Sequence, residues 1–328
     1  MSMNTSIEWT DVTWNPVRGC ALVSAGCTNC YAMRIAHRFG GPGQPYAGLT
    51  ERGPQGPRWN GTIRLVPEAL GEPLHWKRPR RVFVNSMSDL FHENVPFKFI
   101  HAVFDTIRQT PHLIYQILTK RPERMREFMT HYLRPRESMG WANGFYCHVW
   151  LGVSVEDQAT ADERIPILLQ TPAAVRWISA EPLLGPVDLS RSLLTAWERS
   201  ETRDGGLDWV IIGGESGPGA RPCDLAWIRS IKDQCQAAAV PVFVKQLGTE
   251  PRGLCAWEHH ASDPPDWLDD DGTLLSVSGS QHGDLCHAMD DAWWPCKPQF
   301  TDRKGGTLSE WPADLRVREW PGVRSETA

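Results

Sequence analysis

The sequence predicts an α/β protein built as a complete or partial (β/α) barrel of the TIM type, with parallel strands and an irregular C-terminal extension. Short apolar runs rich in β-branched and aromatic residues recur along the chain, which is typical of strands buried on both faces of a parallel sheet. Segments with helical periodicity separate these runs at roughly 25 to 35 residues per unit, as expected for repeated β–α units. Each run is followed directly by a polar cluster.

The strands are predicted in chain order. The first lies within 9–14, and the others follow at 81–84, 113–118, 148–153, 175–178, 209–212 and 240–244. A helix is predicted at 97–109, and a second helix at 225–238 carries Cys235 on its apolar face. The segment 40–61 is rich in Gly and Pro, and it is predicted to be a long loop or lid over the barrel mouth.

The predicted domain division places the barrel in residues 1–248, with a cysteine loop at 18–32, and an irregular extension in 249–328. Acidic clusters and turn-forming residues begin after Thr249, which favours irregular structure there. The extension is expected to pack on the barrel, and the tail 311–318 to fold back onto it.

The composition limits the class of protein. With 328 residues, 41% of them hydrophobic, the chain can form one large domain or two ordinary ones. A net charge of −5 gives no overall field that indicates a polyanionic partner. We find no membrane span and no signal peptide, so we expect a cytoplasmic protein. Nine cysteines without a signal argue against a disulfide framework.

Three cysteines lie within eleven residues. Cys20, Cys27 and Cys30 form a C-x6-C-x2-C pattern, with glycines before the first two. Structural zinc usually takes four ligands, and the nearest fourth candidate is His37. A [4Fe–4S] cluster held by three cysteines keeps one iron open. We therefore predict a cluster on these three thiols, with zinc or incidental packing as the alternatives.

A second metal site is a weaker hypothesis. Its potential ligands all lie in the C-terminal extension. They are Cys255, Cys286 and Cys296, with His259, His260 or His287.

A three-cysteine loop after the first strand of such a barrel resembles the radical S-adenosylmethionine superfamily. The resemblance implies that the open iron binds the methionine moiety of S-adenosylmethionine and that reduction yields a 5′-deoxyadenosyl radical. It also implies an external electron donor. The superfamily usually has a C-x3-C-x2-C spacing, so the six-residue first gap of this chain is a departure that bears on how the loop wraps the cluster.

More closely, nearly the whole chain resembles a phage and mobile-element family with a three-cysteine motif. The motifs that carry the resemblance are 14–16, 20–31, 118–122, 179–183, 213–216 and 315–319. Some positions are also similar to spore photoproduct lyase, which implies that Ser86, Lys120 and Ser154 contact S-adenosylmethionine. The aromatic Tyr31 after the last cysteine follows the same pattern. Asn85 stands where the lyase has its hydrogen-donating cysteine.

The ends of the predicted strands suit the same cofactor on chemical grounds, because active sites of such barrels lie at that face. Lys120 can pair with the carboxylate of the cofactor, and Glu156 or Glu181 can accept from its ribose hydroxyls. Helix capping is the structural alternative for many of these residues. No catalytic residue is assigned. The predicted cofactor-binding residues are Tyr31, Ser86, Lys120, Ser154, Glu156, Glu181, Gly213, Gly214 and Glu215.

A nucleic-acid partner is a hypothesis from local charge. Residues 51–81 contain seven Lys or Arg and three acidic residues, with Trp59 and Trp76 between them, a pattern that suits a nucleic-acid strand. The alternative is a solvated face balanced by the acidic stretch 263–271. Two functions follow: a radical enzyme whose substrate is a nucleic acid or another molecule, and a non-catalytic nucleic-acid-binding protein with a structural Fe–S or zinc site. A third possibility is an iron–sulfur enzyme that uses a different ligand at the open iron.

Overall fold

The computed structural model describes residues 5–53, 56–133, 146–193, 205–253 and 304–321. Seven strands form the main sheet in chain order, and every neighbouring pair is parallel. They are β1 (Val12–Trp14), β2 (Arg81–Val84), β3 (Ile114–Thr119), β4 (Val149–Val155), β5 (Val175–Ala180), β6 (Trp209–Gly213) and β7 (Val242–Gln246). Within these residues β1 and β7 do not pair. The predicted parallel architecture is confirmed, and it is the partial barrel.

Helices connect the strands. The α-helices of the described part are α1 (Tyr31–Arg38), α2 (Phe97–Gln109), α3 (Pro122–Glu127), α4 (Gln158–Leu169) and α5 (Leu225–Ala237). Short 3-10 turns lie at Ala25–Cys27, Pro67–Ala69, Glu72–His75, Leu308–Glu310 and Ala313–Leu315, and a π turn lies at Phe128–Tyr132. The helices predicted at 97–109 and 225–238 are confirmed, and Cys235 is buried as expected.

Three two-stranded pairings flank the sheet. Val17–Arg18 pairs with Arg64–Leu65, and Cys223–Asp224 pairs with Pro251–Arg252. The third lies in the segment predicted as a lid, where residues 50–53 and 56–59 form a hairpin. This hairpin packs against α1, and Trp59 at its end is buried. The segment is therefore partly ordered sheet rather than a simple loop.

Aromatic side chains fill the concave face of the half-barrel. Because side chains alternate along a strand, one face of the sheet packs on the helices and the other gathers these rings. The ring centroids of Trp9 and Phe83 are 4.7 Å apart, and those of Trp177 and Trp209 are 5.6 Å apart. A Cβ on Gly152 would lie 2.5 Å from the Trp177 indole, so only glycine fits there. We call this cluster the aromatic floor: Trp9, Phe83, Trp150, Trp177, Trp209, Ile211 and Phe243.

The C-terminal tail folds back onto the sheet, as expected. The Val244 amide donates to the Val317 carbonyl at 2.9 Å, so the tail pairs along β7. The Trp320 ring packs on Phe243 at 5.0 Å between centroids. The tail therefore covers an edge strand that would otherwise present unpaired backbone groups.

Some predictions lie outside the described residues. These include the second metal site on Cys255, Cys286 and Cys296 with their neighbouring histidines, and the acidic stretch 263–271. The division at residue 248 stays a prediction. None of the helices described above is long and apolar enough to span a bilayer.

Candidate functional site

The candidate site lies at the carboxyl ends of the strands, above the aromatic floor. Alternation places residues two positions beyond the floor on the same concave side of the sheet. Ser179 follows Trp177 in this way, and Lys245 follows Phe243. The strands therefore present aromatic rings at their lower half and polar groups at their rim.

The three cysteine thiols are free and half-buried. Burial and the nearby Asp89 carboxylate raise the pKa of Cys20 to about 12, against the opposing effect of Arg121. Burial also raises the pKa of Cys30, although the amides of Met33 and Ala32 and the Lys120 ammonium oppose the rise. Cys27 and Cys30 each contribute to the raised pKa of Cys20. The three thiols are thus close enough to interact electrostatically.

The thiols do not form a single-ion site. Across the described ranges, no three His, Cys, Asp or Glu side chains are grouped closely enough to hold one metal ion. Zinc needs its sulfur ligands about 2.3 Å from one centre. In an iron–sulfur cube each thiolate binds its own iron, so the sulfurs need not meet at a point. Three thiols of one loop, with Lys120 and Arg121 nearby to balance their charge, fit a cluster in ligand type and charge.

Glu156 supports the long gap between Cys20 and Cys27. Its side chain is fully buried, and its Oε1 accepts a hydrogen bond from Ser24 Oγ at 2.8 Å. Lys120 Nζ forms an ion pair with Oε1, and Arg164 Nη1 lies 3.2 Å from Oε2. A Cβ on Gly26 would lie 2.5 Å from Oε1. The long gap therefore rests directly on this carboxylate.

Glu215 supports the short gap between Cys27 and Cys30. Asn29 Nδ2 donates to Glu215 Oε2 at 2.9 Å and to the Gly219 carbonyl at 2.8 Å. Arg221 donates through Nη2 to Oε1 at 2.6 Å. Desolvation acts to raise the pKa of Glu215, but hydrogen bonds from Arg221 and Asn29 outweigh it, so this pKa lies below its ordinary value.

A third carboxylate lies at the end of β5. Glu181 Oε1 accepts from Lys245 Nζ at 2.6 Å and from Gln246 Nε2 at 3.0 Å. Glu181 and Glu215 each pair with a cation of their own, Lys245 and Arg221. Lys245 and Gln246 were outside the predicted site set. Side chains alternate along a strand, so Lys245, two residues after Phe243 on β7, lies on the same side of the sheet as the aromatic floor.

Tyr31 and Ser86 lie next to each other, and their role in binding a cofactor stays a prediction. The Tyr31 hydroxyl donates to the Ser86 carbonyl at 2.6 Å. The Ser86 hydroxyl donates to Asn15 Oδ1 at 3.2 Å. Ser154 is buried on β4, and its carbonyl accepts from Arg164 Nη1 at 2.8 Å.

Gly213 ends β6 and Gly214 follows it, and the structure gives Gly214 a packing explanation. A Cβ on Gly214 would collide with the Leu247 carbonyl, and one on Gly213 would lie 3.4 Å from Glu181 Cδ. Only glycine therefore lets this segment pass beside the end of β7. Their role in binding a ligand stays a prediction.

Sequence reasoning missed several residues that organise the site. Asp89 is buried and accepts from Thr119 Oγ1 at 2.8 Å and from Arg121 Nη1 at 3.0 Å. Ser24 and Asn29 lie inside the cysteine gaps, where they resemble ordinary turn residues. Arg164 lies on the buried side of α4 with Ala161, Ile165 and Leu168, eight residues after Glu156.

The aromatic part of the nucleic-acid pattern is not available for stacking. Trp59 and Trp76 are both buried in the protein. Arg58 pairs with Glu51 at 2.6 Å, and Arg64 donates to backbone carbonyls of the neighbouring loop. Bases cannot stack on either indole, so only the charge of this segment still favours a nucleic acid.

Comparisons with known proteins give one matching family and three similar solved structures. The family described as "Protein of unknown function (DUF5131)" matches residues 4–288. No curated protein matches the sequence. Three solved structures of spore photoproduct lyase are similar at 12% identity: a double mutant with bound AdoMet and dinucleoside spore photoproduct, the enzyme complexed with that dinucleoside, and a cysteine-to-serine mutant.

The structural similarity covers part of each chain. The first two comparisons cover 73% of this chain and 65% of the lyase chain, with TM-scores of 0.40 and 0.39. The third covers 65% and 58%, with a TM-score of 0.37. The matched part thus spans less than two thirds of the lyase chain.

Proposed function

The chain belongs to the DUF5131 family, and we propose that it is an iron–sulfur enzyme of the radical S-adenosylmethionine type. The observation that carries the proposal is a loop of three thiols lying across the carboxyl ends of a parallel half-barrel, the edge where ligands bind in such sheets. Cys20, Cys27 and Cys30 would hold a [4Fe–4S] cluster. With S-adenosylmethionine bound, such a cluster supplies the electron that cleaves the sulfonium and releases a 5′-deoxyadenosyl radical.

Lys120 has two roles in this proposal. One of its three N–H donors is directed at Glu156, so the other donors stay available for the carboxylate of the cofactor. Its positive charge also favours the Cys30 thiolate. Lys120 therefore joins the end of β3 to the end of β4 and places a positive charge near the ligands.

Glu156 and Glu181, the two predicted acceptors for the ribose hydroxyls, have different roles in this proposal. Glu156 is fully buried and faces Ser24, Lys120 and Arg164, so we assign it to holding the loop. Glu181 is partly exposed and uses Oε1 for both of its donors. Its second oxygen is therefore the better acceptor for a ribose hydroxyl.

The aromatic floor would exclude water from below the site. Trp177 and Trp209 are fully buried, and their rings pack within 5.6 Å of each other directly under the polar rim. A filled interior suits radical chemistry, because bulk water reaches the reacting groups only from the mouth.

Asn85 argues against the dimer-repair reaction of the lyase. This residue is buried at the end of β2, and its Oδ1 accepts from the Val17 amide at 3.2 Å. It has no thiol hydrogen to return to a substrate radical. We therefore do not propose dimer repair, and a nucleic-acid substrate stays a prediction from the charge of segment 51–81.

The proposal is tested by the product that it requires. The protein is purified without oxygen, reduced with dithionite and given S-adenosylmethionine, and 5′-deoxyadenosine is measured by mass spectrometry. We expect product from the wild type and from the surface control Cys147→Ala, and none from Cys30→Ala. An iron-loaded wild type that forms no 5′-deoxyadenosine would overturn the proposal and favour a structural cluster.

A further inference from the structure

The first cysteine of the loop lies beside a buried carboxylate. Gly19 forms a parallel backbone bridge with Ser88, and the Ser88 hydroxyl donates to the Val17 carbonyl at 2.8 Å. Cys20 and Asp89 directly follow the two bridged residues. The chain segment that carries Cys20 is therefore fixed next to the segment that carries Asp89.

The carboxylate of Asp89 is held in place by hydrogen bonds from its neighbours. Thr119 Oγ1 donates to one of its oxygens at 2.8 Å, and the Phe91 amide donates to the same oxygen at 2.9 Å. The Lys120 amide and Arg121 Nη1 donate to the other oxygen at 3.2 and 3.0 Å. These groups are all donors, which suits an ionised carboxylate because it can only accept. Asp89 therefore places a negative charge in a fixed position at this end of the loop.

Arg121 balances this charge only in part. Its side chain is 7% exposed, and its Nε also donates at 2.8 Å to Glu93, a carboxylate whose side chain is 64% exposed. Two carboxylates thus share one guanidinium, so the group of three is negative as a whole. Because Glu93 faces water, its charge is screened far more than the charge of Asp89.

The charges of Asp89 and Arg121 act on the Cys20 sulfur. Burial contributes most to the raised pKa of Cys20, the Asp89 carboxylate adds to the rise, and the Arg121 guanidinium opposes it less strongly. The coupling is present in the other direction as well. Burial acts to lower the pKa of Arg121, but its acidic neighbours outweigh this effect, and Cys20 is one of them. The net effect of the pair on this sulfur therefore disfavours added negative charge.

The other end of the loop has a different environment. Burial raises the pKa of Cys30, but the amides of Met33 and Ala32 and the Lys120 ammonium act against the rise. A cluster held by these thiols would thus have a carboxylate beside its Cys20 ligand and an ammonium near its Cys30 ligand. Charges around the sulfurs are among the features by which a protein changes the reduction potential of a cluster.

We propose that Asp89 and Arg121 are positioning residues of opposite charge that set the reduction potential of the cluster, with Asp89 lowering it and Arg121 raising it. The inference rests on the proposed function, since it needs a cluster on Cys20. Reduction transfers one electron from an added reductant to the cluster, and no bond forms or breaks. The added negative charge is repelled by Asp89 and attracted by Arg121, and burial keeps water from screening either effect.

The test is a dye-mediated redox titration of the anaerobic, iron-loaded full chain, followed by the EPR signal of the reduced cluster. Dithionite is the reductant, and no S-adenosylmethionine is added. At a fixed potential we expect Asp89→Asn to raise the ratio of reduced to oxidised cluster about tenfold, which is about 59 mV for a one-electron couple. Arg121→Gln should lower the ratio by a similar factor, because Asp89 then loses its buried counter-charge.

Three controls separate the effect of charge from an effect on folding. Thr119→Val removes a hydrogen bond to Asp89 without changing any charge, so the potential should stay unchanged although the protein becomes less stable. Asp89→Glu keeps the charge and should keep most of the wild-type potential. Glu93→Gln removes an exposed carboxylate, so it should act in the same direction as Asp89→Asn but more weakly.

Two results would overturn the proposal. One is a potential that moves in the same direction in Asp89→Asn and Arg121→Gln, as a general loosening of the site would cause. The other is a potential that neither change moves. If Asp89→Asn does not fold, Arg121→Gln and Glu93→Gln must still move the potential in opposite directions.

The proposed function and this inference can fail separately. A cluster whose potential follows the expected order while no 5′-deoxyadenosine forms would overturn the proposed function alone. A cluster that supports 5′-deoxyadenosine formation with the same potential in all variants would overturn this inference alone. A wild type that holds no cluster would overturn both.

Discussion

Two buried carboxylates hold the two gaps of the cysteine loop, and they differ in how their charge is balanced. Glu156 lies under the long gap and faces two cations, Lys120 and Arg164. Glu215 lies at the short gap and is balanced by Arg221, whose side chain is 31% exposed. The unusual six-residue gap thus has the more deeply buried support.

The difference in how these two carboxylates are balanced predicts which gap of the cysteine loop is the more stable. A buried charge that loses its partner cannot recover its solvation, which costs about 3–5 kcal/mol, whereas a partly exposed charge can turn to water. We therefore expect the long gap to be held more strongly than the short gap. The longer spacing then reflects an additional contact with the barrel rather than a looser loop.

The largest effect is expected from Glu156→Ala. This change leaves Lys120 and Arg164 without their carboxylate, so we expect the free energy of unfolding to fall by about 3–5 kcal/mol. Chemical denaturation measures it, and Glu163→Ala on the exposed side of α4 is the control. A loss below about 1 kcal/mol would show that Glu156 is not a buried support.

A smaller loss is expected from Glu215→Ala. Arg221 can reach water when its partner is removed, so we expect a loss of about 1–3 kcal/mol by the same measurement. If Glu215→Ala were less stable than Glu156→Ala, the claim that Glu156 is the stronger support of the loop would be wrong.

Local effects are expected from the two loop residues that contact these carboxylates. Ser24→Ala and Asn29→Ala each remove a hydrogen bond to a charged group, worth about 1.5–3 kcal/mol at most. Hydrogen exchange should show reduced protection of 21–26 in the first variant and of 28–30 in the second. Equal loosening of both gaps in either variant would contradict two separate supports.

The smallest effect is a dependence on pH. Because the pKa of Glu215 is lowered by folding, its contribution is complete above its unfolded value near 4.5 and is lost as the pH falls through the folded pKa. We expect the stability difference between wild type and Glu215→Gln to be constant above about pH 6 and to shrink as the pH falls below the unfolded pKa of the carboxyl. A difference that grows as the pH falls would contradict the assignment.

Local patterns were sufficient to predict most of the fold. The apolar runs predicted the seven strands, and helical periodicity predicted α2 at its observed bounds. Whether the barrel is complete could not be predicted, because closure depends on β1 and β7, which are about 230 residues apart. The antiparallel pairing of 50–53 with 56–59 was missed because Gly and Pro in these segments are typical of loops.

The sequence was sufficient to predict where the polar residues of the site lie, but not which of them pair with each other. The rule that polar residues gather at strand ends placed Lys120, Glu156 and Glu181 at one rim. Which cation faces which carboxylate depends on the tertiary structure, so the ion pair of Lys245 with Glu181 could not be foreseen. Gly214 was predicted to bind the cofactor. In the structure it passes close to the Leu247 backbone, a contact between distant residues that no local sequence pattern could reveal.

The most direct test of the account is the metal content of anaerobically purified protein. We predict about four iron and four sulfide per chain in the wild type and in Cys223→Ala, a control that removes a buried cysteine outside the loop. Each of Cys20→Ala, Cys27→Ala and Cys30→Ala should lose most of both. A stoichiometric zinc without iron, or an iron content unchanged in all three variants, would contradict the account.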